Sequence, residues 1–228
     1  MNDLVLSAAH VLVADLDSPE LDDADTHHLA RVLRLRVGEV VTATDGVGAW
    51  RTCRWIGAGI DPVGAIERVA APRPETAVAF ALVKGDRLDW IVQKLTELGI
   101  DRMVPLRTDH AVVRWDAERE QTQVARLGRI AREAALQSRR VWFPLIDPVT
   151  AALEFLGRPG VARADFGGAD LDDLPGTTVI AVGPEGGWSQ AERGVPGPIV
   201  GLGSTVLRAE TAAIAAGVLL TDRRRRGR

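Results

Sequence analysis

Residues 179–189 read Val179-Ile180-Ala181-Val182-Gly183-Pro184-Glu185-Gly186-Gly187-Trp188-Ser189, an apolar run that stops at a turn of proline and glycines. Counted from Thr177, the run is short and rich in β-branched residues, as a buried strand should be. The turn then lies at that strand's carboxyl end, where open α/β sheets usually bind ligands. Glycine carries no Cβ, so backbone amides in such a turn can approach a ligand closely. A tight turn that merely reverses the chain has the same composition, and this stretch alone leaves both readings open.

A second loop follows at Gly201-Leu202-Gly203-Ser204-Thr205-Val206-Leu207-Arg208-Ala209-Glu210-Thr211-Ala212. It joins a strand to a helix, and the free amides of a helix start can hold a polar ligand group. The alternative is an ordinary helix start with Glu210 complementing the macrodipole. Two such loops at successive strand ends favour a binding site over coincidence. Both come late in the chain and neither contains lysine. That weakens a dinucleotide site, which needs G-x-G-x-x-G after the first strand, and a P-loop, which needs a lysine.

Working outward, Ala77 to Val83 is a continuous apolar run, expected for a strand buried on both faces. Asp86 to Leu98 places Leu88, Ile91, Val92, Leu95 and Leu98 on one side of a helix that Gly99 should stop. Met103 to Leu106 is strand-like, and Asp116 to Ser138 predicts a longer helix. Short apolar stretches follow at Trp142 to Ile146 and Thr177 to Val182, then Ile199 to Leu202, before an Ala-rich helix over Ala209 to Leu220. Alternating strands and helices predict an α/β fold with a mainly parallel sheet.

The segment from Leu4 to Ala70 is different. Val11 to Val13, Val40 to Thr44, Trp50 to Ile56 and Val63 to Val69 have strand-like residues, and Asp45-Gly46-Val47-Gly48 supplies a hairpin turn. Asp25 or Thr26 can cap a short helix carrying Leu29, Val32 and Leu33. Several short strands with one helix predict a small barrel. Ala71-Pro72-Arg73-Pro74 reads as a linker, giving expected domains of residues 1–72 and 73–228.

Composition bounds the function. Over 228 residues, 46% hydrophobic and 26% charged side chains fit a globular chain rather than a disordered one. No apolar run approaches the roughly 20 residues needed to span a bilayer. Met1 to Asp15 has neither Lys nor Arg, so it lacks the basic start of a signal peptide. The single cysteine, Cys53, excludes an internal disulfide and reads as a core residue. The expectation is a cytoplasmic protein without membrane contact.

The net charge of −3 is unevenly spread. The first 26 residues carry acids and no Lys or Arg, whereas positive charge gathers between residues 27 and 143 and in the tail from Arg223 to Arg228. Nearly all of it is arginine, Lys84 and Lys94 being the only lysines. Arginine suits phosphate contacts and stacking on bases, although a GC-rich genome would produce the same bias. An RNA partner is permitted, not established. Arg126, Arg129, Arg132, Arg139 and Arg140 accompany Glu133, Gln137 and Ser138, with some on one helical face, which could equally be a solvated face. His27-His28-Leu29 with Arg31, Arg34 and Arg36 forms another basic cluster. Adjacent histidines point apart on a helix, so no metal site is expected.

Taken in order, these segments resemble the RsmE family of bacterial 16S ribosomal RNA uracil-N3 methyltransferases. The resemblance runs through His27-His28-Leu29, Arg31-Val32-Leu33-Arg34, Gly38 and Asp45-Gly46. It continues with Lys84-Gly85-Asp86, Gln93-Lys94, Thr96-Glu97-Leu98-Gly99, Val104-Pro105, Arg132-Glu133-Ala134-Ala135, Gln137-Ser138 and Arg140. Its strongest parts are Gly183 to Gly187 and Leu202-Gly203 through Leu207 to Ala212. The chain departs from the family pattern at Leu136, where an acid is common, at Arg139, where glycine is common, and in its acidic N terminus.

The resemblance implies a PUA-like RNA-binding β-barrel followed by a SPOUT methyltransferase domain with a trefoil knot, assembled as a homodimer. It implies methyl transfer from S-adenosylmethionine to N3 of one uridine, the family target U1498, in 16S rRNA of the small ribosomal subunit. The cofactor would be held by Val182, Gly183, Pro184, Glu185, Gly186 and Gly187 from the first loop, and by Leu202, Gly203, Leu207, Arg208, Thr211 and Ala212 from the second. Glu185 and Glu210 are candidate bases for the N3 proton, and Arg208 or Arg140 could stabilise a uridine anion. RNA contacts are expected at His28, Arg31, Arg34, Lys84, Lys94, Arg132, Gln137, Ser138 and Arg140. Two other classes remain open: a non-catalytic RNA-binding protein, which would not need paired glycine loops, and an α/β transferase acting on a small molecule.

Overall fold

A computed structural model describes residues 3–227; Met1, Asn2 and Arg228, the last of the arginine tail, lie outside the described residues. The chain divides into two compact units, one of Met1–Ala71 with Ala135–Phe143 and one of Pro72–Ala134 with Pro144–Arg228.

In the first unit, a short helix α1 (Asp3–Leu6) precedes a four-stranded sheet in the order β1-β2-β3-β4. Its strands are β1 (Ala9–Leu12), β2 (Val40–Thr44), β3 (Ala49–Trp55) and β4 (Ile60–Arg68). β1 runs parallel to β2, and the remaining pairs are antiparallel. The β2–β3 hairpin turns because Asp45 Oδ1 accepts from the amides of Val47 and Ala49, at 2.8 and 3.0 Å. Val41, Ala43, Cys53 and Trp55 form the core on one face, and burial pushes the Cys53 thiol up to about 11.

The helix between β1 and β2 corrects the sequence expectation. α2 (Asp23–His27) is capped by Asp22, whose side chain accepts from the Asp25 amide at 2.7 Å, not by Asp25 or Thr26. From His28 to Val32 the coil widens into a π turn, closed by Leu33 N to His28 O. Leu29 stays buried at 1% exposure, whereas Val32 and Leu33 turn outward at 60% and 42%. The wider turn breaks the 3.6-residue spacing on which the predicted apolar stripe rested.

Residues 135–143 belong with this unit because its hairpin binds them. Gly48 N donates to Val141 O at 2.8 Å, Phe143 N to Gly46 O at 2.9 Å, and Trp142 Nε1 to Val69 O at 2.9 Å. Trp142 therefore makes a bridge to Val47, and the strand expected over Trp142 to Ile146 shrinks to β7 (Leu145–Ile146) in the second unit. Arg139, at a position where glycine is common in the family it resembles, has a left-handed backbone with φ of 58°. Its guanidinium donates to Ser7 O at 2.7 Å. His10 is buried between Thr42 Oγ1, 2.8 Å from its Nδ1, and Arg140 O, 3.2 Å from its Nε2.

The second unit is a wholly parallel sheet in the order β11-β9-β10-β5-β6-β7, with β8 (Thr150–Ala151) also pairing with β6. β5 (Ala77–Ala81) and β10 (Val179–Val182) lie at its centre, and every residue of β5 is buried. α3 (Arg87–Glu97) buries Leu88, Ile91, Val92 and Leu95 and leads to β6 (Arg102–Arg107). α4 (Ala117–Gln137) stops at Gln137, so Arg139 and Arg140 fall beyond it, and its Arg126 is ion-paired with Asp89.

After α5 (Ala152–Leu156) comes β9 (Val161–Ala169), a strand that the hydrophobic pattern does not announce because Arg163, Asp165 and glycines interrupt it. β11 (Ile199–Val200) pairs with β9 across a register shift where the backbones nearly touch. A Cβ on Gly168 would stand 2.4 Å from the Val200 carbonyl carbon, so only glycine fits there. α7 (Ala209–Arg226) then packs on α3 and on the central strands β5 and β10. It runs past the expected end at Leu220, and three of the four arginines in its last turn are tied to other elements. Arg223 donates to Leu171 O at 2.8 Å, Arg224 pairs with Asp101, and Arg226 pairs with Asp172 at 2.9 Å.

Candidate functional site

The carboxyl ends of β10 and β11 meet the middle of β9 around a cleft of about 190 Å³ in the second unit. β9 contributes Ala164, Asp165 and Phe166. The turn after β10 contributes Val182, Gly183, Pro184, Glu185, Gly187 and Trp188, and the loop after β11 contributes Leu202, Gly203, Thr205, Val206 and Leu207. Ala209 and Ala212, in the first turn of α7, complete the wall. The two glycine loops are thus brought side by side, at the end of the sheet where parallel folds bind ligands.

The first loop is held by a network that includes one buried carboxylate. Ser189 caps α6 (Gln190–Gly194) in a reciprocal capping box with Glu192, which is 1% exposed. Glu192 Oε2 accepts from Ser189 N at 2.8 Å, and its Oε1 accepts from Asp109 N at 3.0 Å. Ser189 Oγ donates to Asp109 Oδ2 at 2.5 Å, and His110 Nδ1 lies 3.1 and 3.0 Å from the carbonyls of Gly186 and Gly187. The loop after β6 therefore braces the turn after β10. Trp188 is buried and donates from Nε1 to Ala164 O at 2.9 Å, which ties the turn to β9 as well.

Within this frame, Gly183 serves packing: a Cβ there would meet the Trp188 indole. Arg87, at the start of α3, is ion-paired with Glu185 and lies 3.6 Å from Glu210 Oε2. Glu210 is buried at 7% exposure, and its Oε2 has no hydrogen-bond partner among the described residues.

The sequence-nominated cofactor residues divide accordingly. Val182, Gly183, Pro184, Glu185, Gly187, Leu202, Gly203, Leu207 and Ala212 line the cleft. Gly186 instead faces His110, Arg208 is the exposed residue preceding α7, and Thr211 is exposed on that helix. Of the four nominated catalytic residues, Glu185, Arg208 and Glu210 belong to the second unit and Arg140 to the first. Among the expected RNA contacts, Lys84 and Arg132 are exposed in the second unit, and Lys94 is engaged by Glu97 at 2.9 Å. His28, Arg31, Arg34 and Gln137 are exposed in the first unit, where Ser138 and Arg140 are half-buried.

Sequence reasoning missed Arg87, Glu192 and Asp109. Ser189-Gln190-Ala191-Glu192 is a capping-box signature and could have revealed Glu192. Arg87 directly follows the quoted Lys84-Gly85-Asp86, but its partners are about a hundred residues away in sequence and nothing local marks them.

Apolar walls and glycine backbone together suit a ligand with a flat heterocycle and polar groups. S-adenosylmethionine has both. Among the described residues, no cluster of His, Cys, Asp and Glu could hold a metal ion, and no helix is long and apolar enough to cross a membrane.

A family model described as an RNA methyltransferase domain matches residues 71–221, and one described as an RNA methyltransferase PUA domain matches residues 21–59. The chain is 30% identical over 217 residues to Ribosomal RNA small subunit methyltransferase E of Bacillus subtilis, covering 83% of this chain and 84% of that protein. It is 34% identical over 218 residues to the Synechocystis protein of the same name, covering 84% and 69%. The crystal structure of a Ribosomal RNA small subunit methyltransferase E from Neisseria gonorrhoeae bound to S-adenosyl methionine superposes with a TM-score of 0.80 at 26% identity, covering 94% of this chain and 97% of that one.

Proposed function

The chain belongs to the RNA methyltransferase family that includes Ribosomal RNA small subunit methyltransferase E, and from that premise we propose that it methylates N3 of one uridine in 16S rRNA. The observation that carries this reading is the single cleft shared by the two glycine loops. Leu202 and Leu207 would supply apolar contact for the adenine of S-adenosylmethionine, and backbone groups around Gly183 and Gly203 would hold its polar parts. Bound there, the cofactor supplies a methyl group already made electrophilic by its sulfonium.

What remains for the protein is orientation and a proton. N3 of uracil is protonated, so a base must take that proton before or during transfer. Glu185 and Glu210 are the carboxylates we assign to this task, with Arg208 or Arg140 as the cation for the resulting anion. N3 also lies on the pairing edge, so the uridine must be unpaired or flipped out. The exposed His28, Arg31, Arg34, Lys84, Arg132 and Gln137, with Lys94, Ser138 and Arg140, are the side chains proposed to meet the RNA.

The same reading includes a cytoplasmic homodimer and a trefoil knot in the second unit. Phe166 and Val206, 71% and 89% exposed at the cleft rim, are apolar surfaces that a second copy would cover. The chain leaves the sheet at the edge strand β11 and returns to its centre with α7, a late re-entry that a knot requires.

The test is to incubate the protein with methyl-labelled cofactor and, in parallel, 30S subunits, protein-free 16S rRNA and free uridine. Label is expected at one uridine of the rRNA, where the blocked pairing edge stops reverse transcription. Label confined to small molecules, or no transfer at all, overturns the reading.

A further inference from the structure

Arg87 stands between two carboxylates that come from different loops. It opens α3, directly after the β5 turn, and its Nε donates to Lys84 O at 3.1 Å, which fixes the direction of the guanidinium. Nη1 is ion-paired with Glu185, in the turn after β10, and lies 3.6 Å from Glu210 Oε2, in the first turn of α7. Glu185 itself lines the cleft, and Glu210 sits between lining residues, Ala209 before it and Ala212 after it.

The two carboxylates differ in what they can tolerate. The Glu185 side chain is 42% exposed and can be hydrated, whereas that of Glu210 is 9% exposed. At 3.6 Å the contact with Glu210 is too long for a hydrogen bond and acts as a charge interaction. A buried carboxylate that loses its cation is costly and moves toward water or takes up a proton. Relief by movement would carry the first turn of α7, and with it one wall of the cleft.

We propose that Arg87 is a positioning residue that clamps the two glycine loops together through Glu185 and Glu210, and so sets the shape of the cofactor cleft. The ligand it shapes the cleft for rests on the methyl-transfer reading; the clamp itself does not. An arginine at this place could instead be an RNA phosphate contact, and that role would affect RNA binding alone. The clamp acts on the cofactor and leaves the KM for RNA nearly unchanged.

The experiment compares wild type with Arg87→Ala, Arg87→Lys, Glu185→Gln/Glu210→Gln and the triple variant. Amide hydrogen exchange without ligand is followed at residues 183–187 and 203–210, and the Kd for S-adenosylmethionine is measured by calorimetry. Arg87→Ala is expected to speed exchange in both loops together and to weaken cofactor binding at least tenfold, with Arg87→Lys recovering most of the loss. In the double glutamine background, replacing Arg87 should cost nothing further. Should Arg87→Ala not fold, Arg87→Lys and the double variant still report exchange in the two loops. Unchanged exchange in both loops, cofactor binding within twofold of wild type with only the RNA KM raised, or an equal loss in the glutamine background each overturn the clamp. A wild-type protein that takes up no cofactor would defeat the methyl-transfer reading, while the exchange comparison would still decide the clamp.

Discussion

The Trp188 indole lies against the Gly183 backbone so closely that a Cβ on Gly183 would stand 2.9 Å from its Cε2. Trp188 is 4% exposed and bonded to Ala164 O, so it has little room to retreat. Gly183→Ala is therefore expected to destabilise the fold by about 1–3 kcal/mol through overpacking and to weaken cofactor binding. Urea unfolding and calorimetry measure both. Gly128→Ala is the control: it lies inside α4 with nothing within 4 Å of a Cβ, and it should be neutral or stabilising by up to about 1 kcal/mol.

His10 makes the first unit sensitive to acid. Burial, only partly offset by its contact with Arg140 O, lowers its imidazole from 6.5 to about 4. Below 6.5 the unfolded chain binds a proton that the folded chain refuses, so stability is complete above that pH and is lost as it falls toward 4. Integrated over that window, the loss reaches roughly 3 kcal/mol. Urea unfolding midpoints should fall between pH 6.5 and 4, and His10→Gln should flatten that slope.

The arginines at the end of α7 should separate into structural and dispensable ones. Arg224 is 9% exposed at its side chain, pairs with Asp101 and donates to Gly99 O at 2.8 Å. Arg224→Ala removes a largely buried guanidinium from Asp101 and from the Gly99 carbonyl and is expected to cost about 1.5–3 kcal/mol. Arg225, 78% exposed and paired only with Asp222 among the described residues, should change stability by less than about 0.5 kcal/mol when replaced by alanine. Thermal and urea melts distinguish the two.

Glu192→Ala removes the acceptor for the amides of Asp109 and Ser189. The buried Ser189 amide left unpaired is worth about 1–3 kcal/mol, so a marked fall in melting temperature is expected. Because His110 meets the Gly186 and Gly187 carbonyls, the variant should also weaken cofactor binding, which an unrelated core lesion of equal cost should not do.

Local pattern was enough wherever a residue's neighbours in sequence decide its environment. The run at Ala77 to Val83 reads as a doubly buried strand, and Leu88, Ile91, Val92 and Leu95 read as the inner face of α3, because helical and strand periodicities are properties of the backbone itself. The glycine loops were legible as turns after strands for the same reason. β9 was not: Arg163 and Asp165 suit a strand only because Arg163 finds the Glu192 carbonyl at 3.1 Å and Asp165 reaches the cleft. α2 was misjudged because a π turn leaves no periodic trace.

The amino-acid order by itself determined the alternation of strands and helices, the turns after β10 and β11, and the family to which they belong. Only the tertiary structure decided that Gly183 exists for Trp188, that Arg87 serves Glu185 and Glu210, and that residues 135–143 complete the first unit. Pattern reports which face of an element is apolar, whereas a charge or a Cβ clash depends on atoms that meet from distant parts of the chain. Such contacts exist only once the sheet has set its strand order.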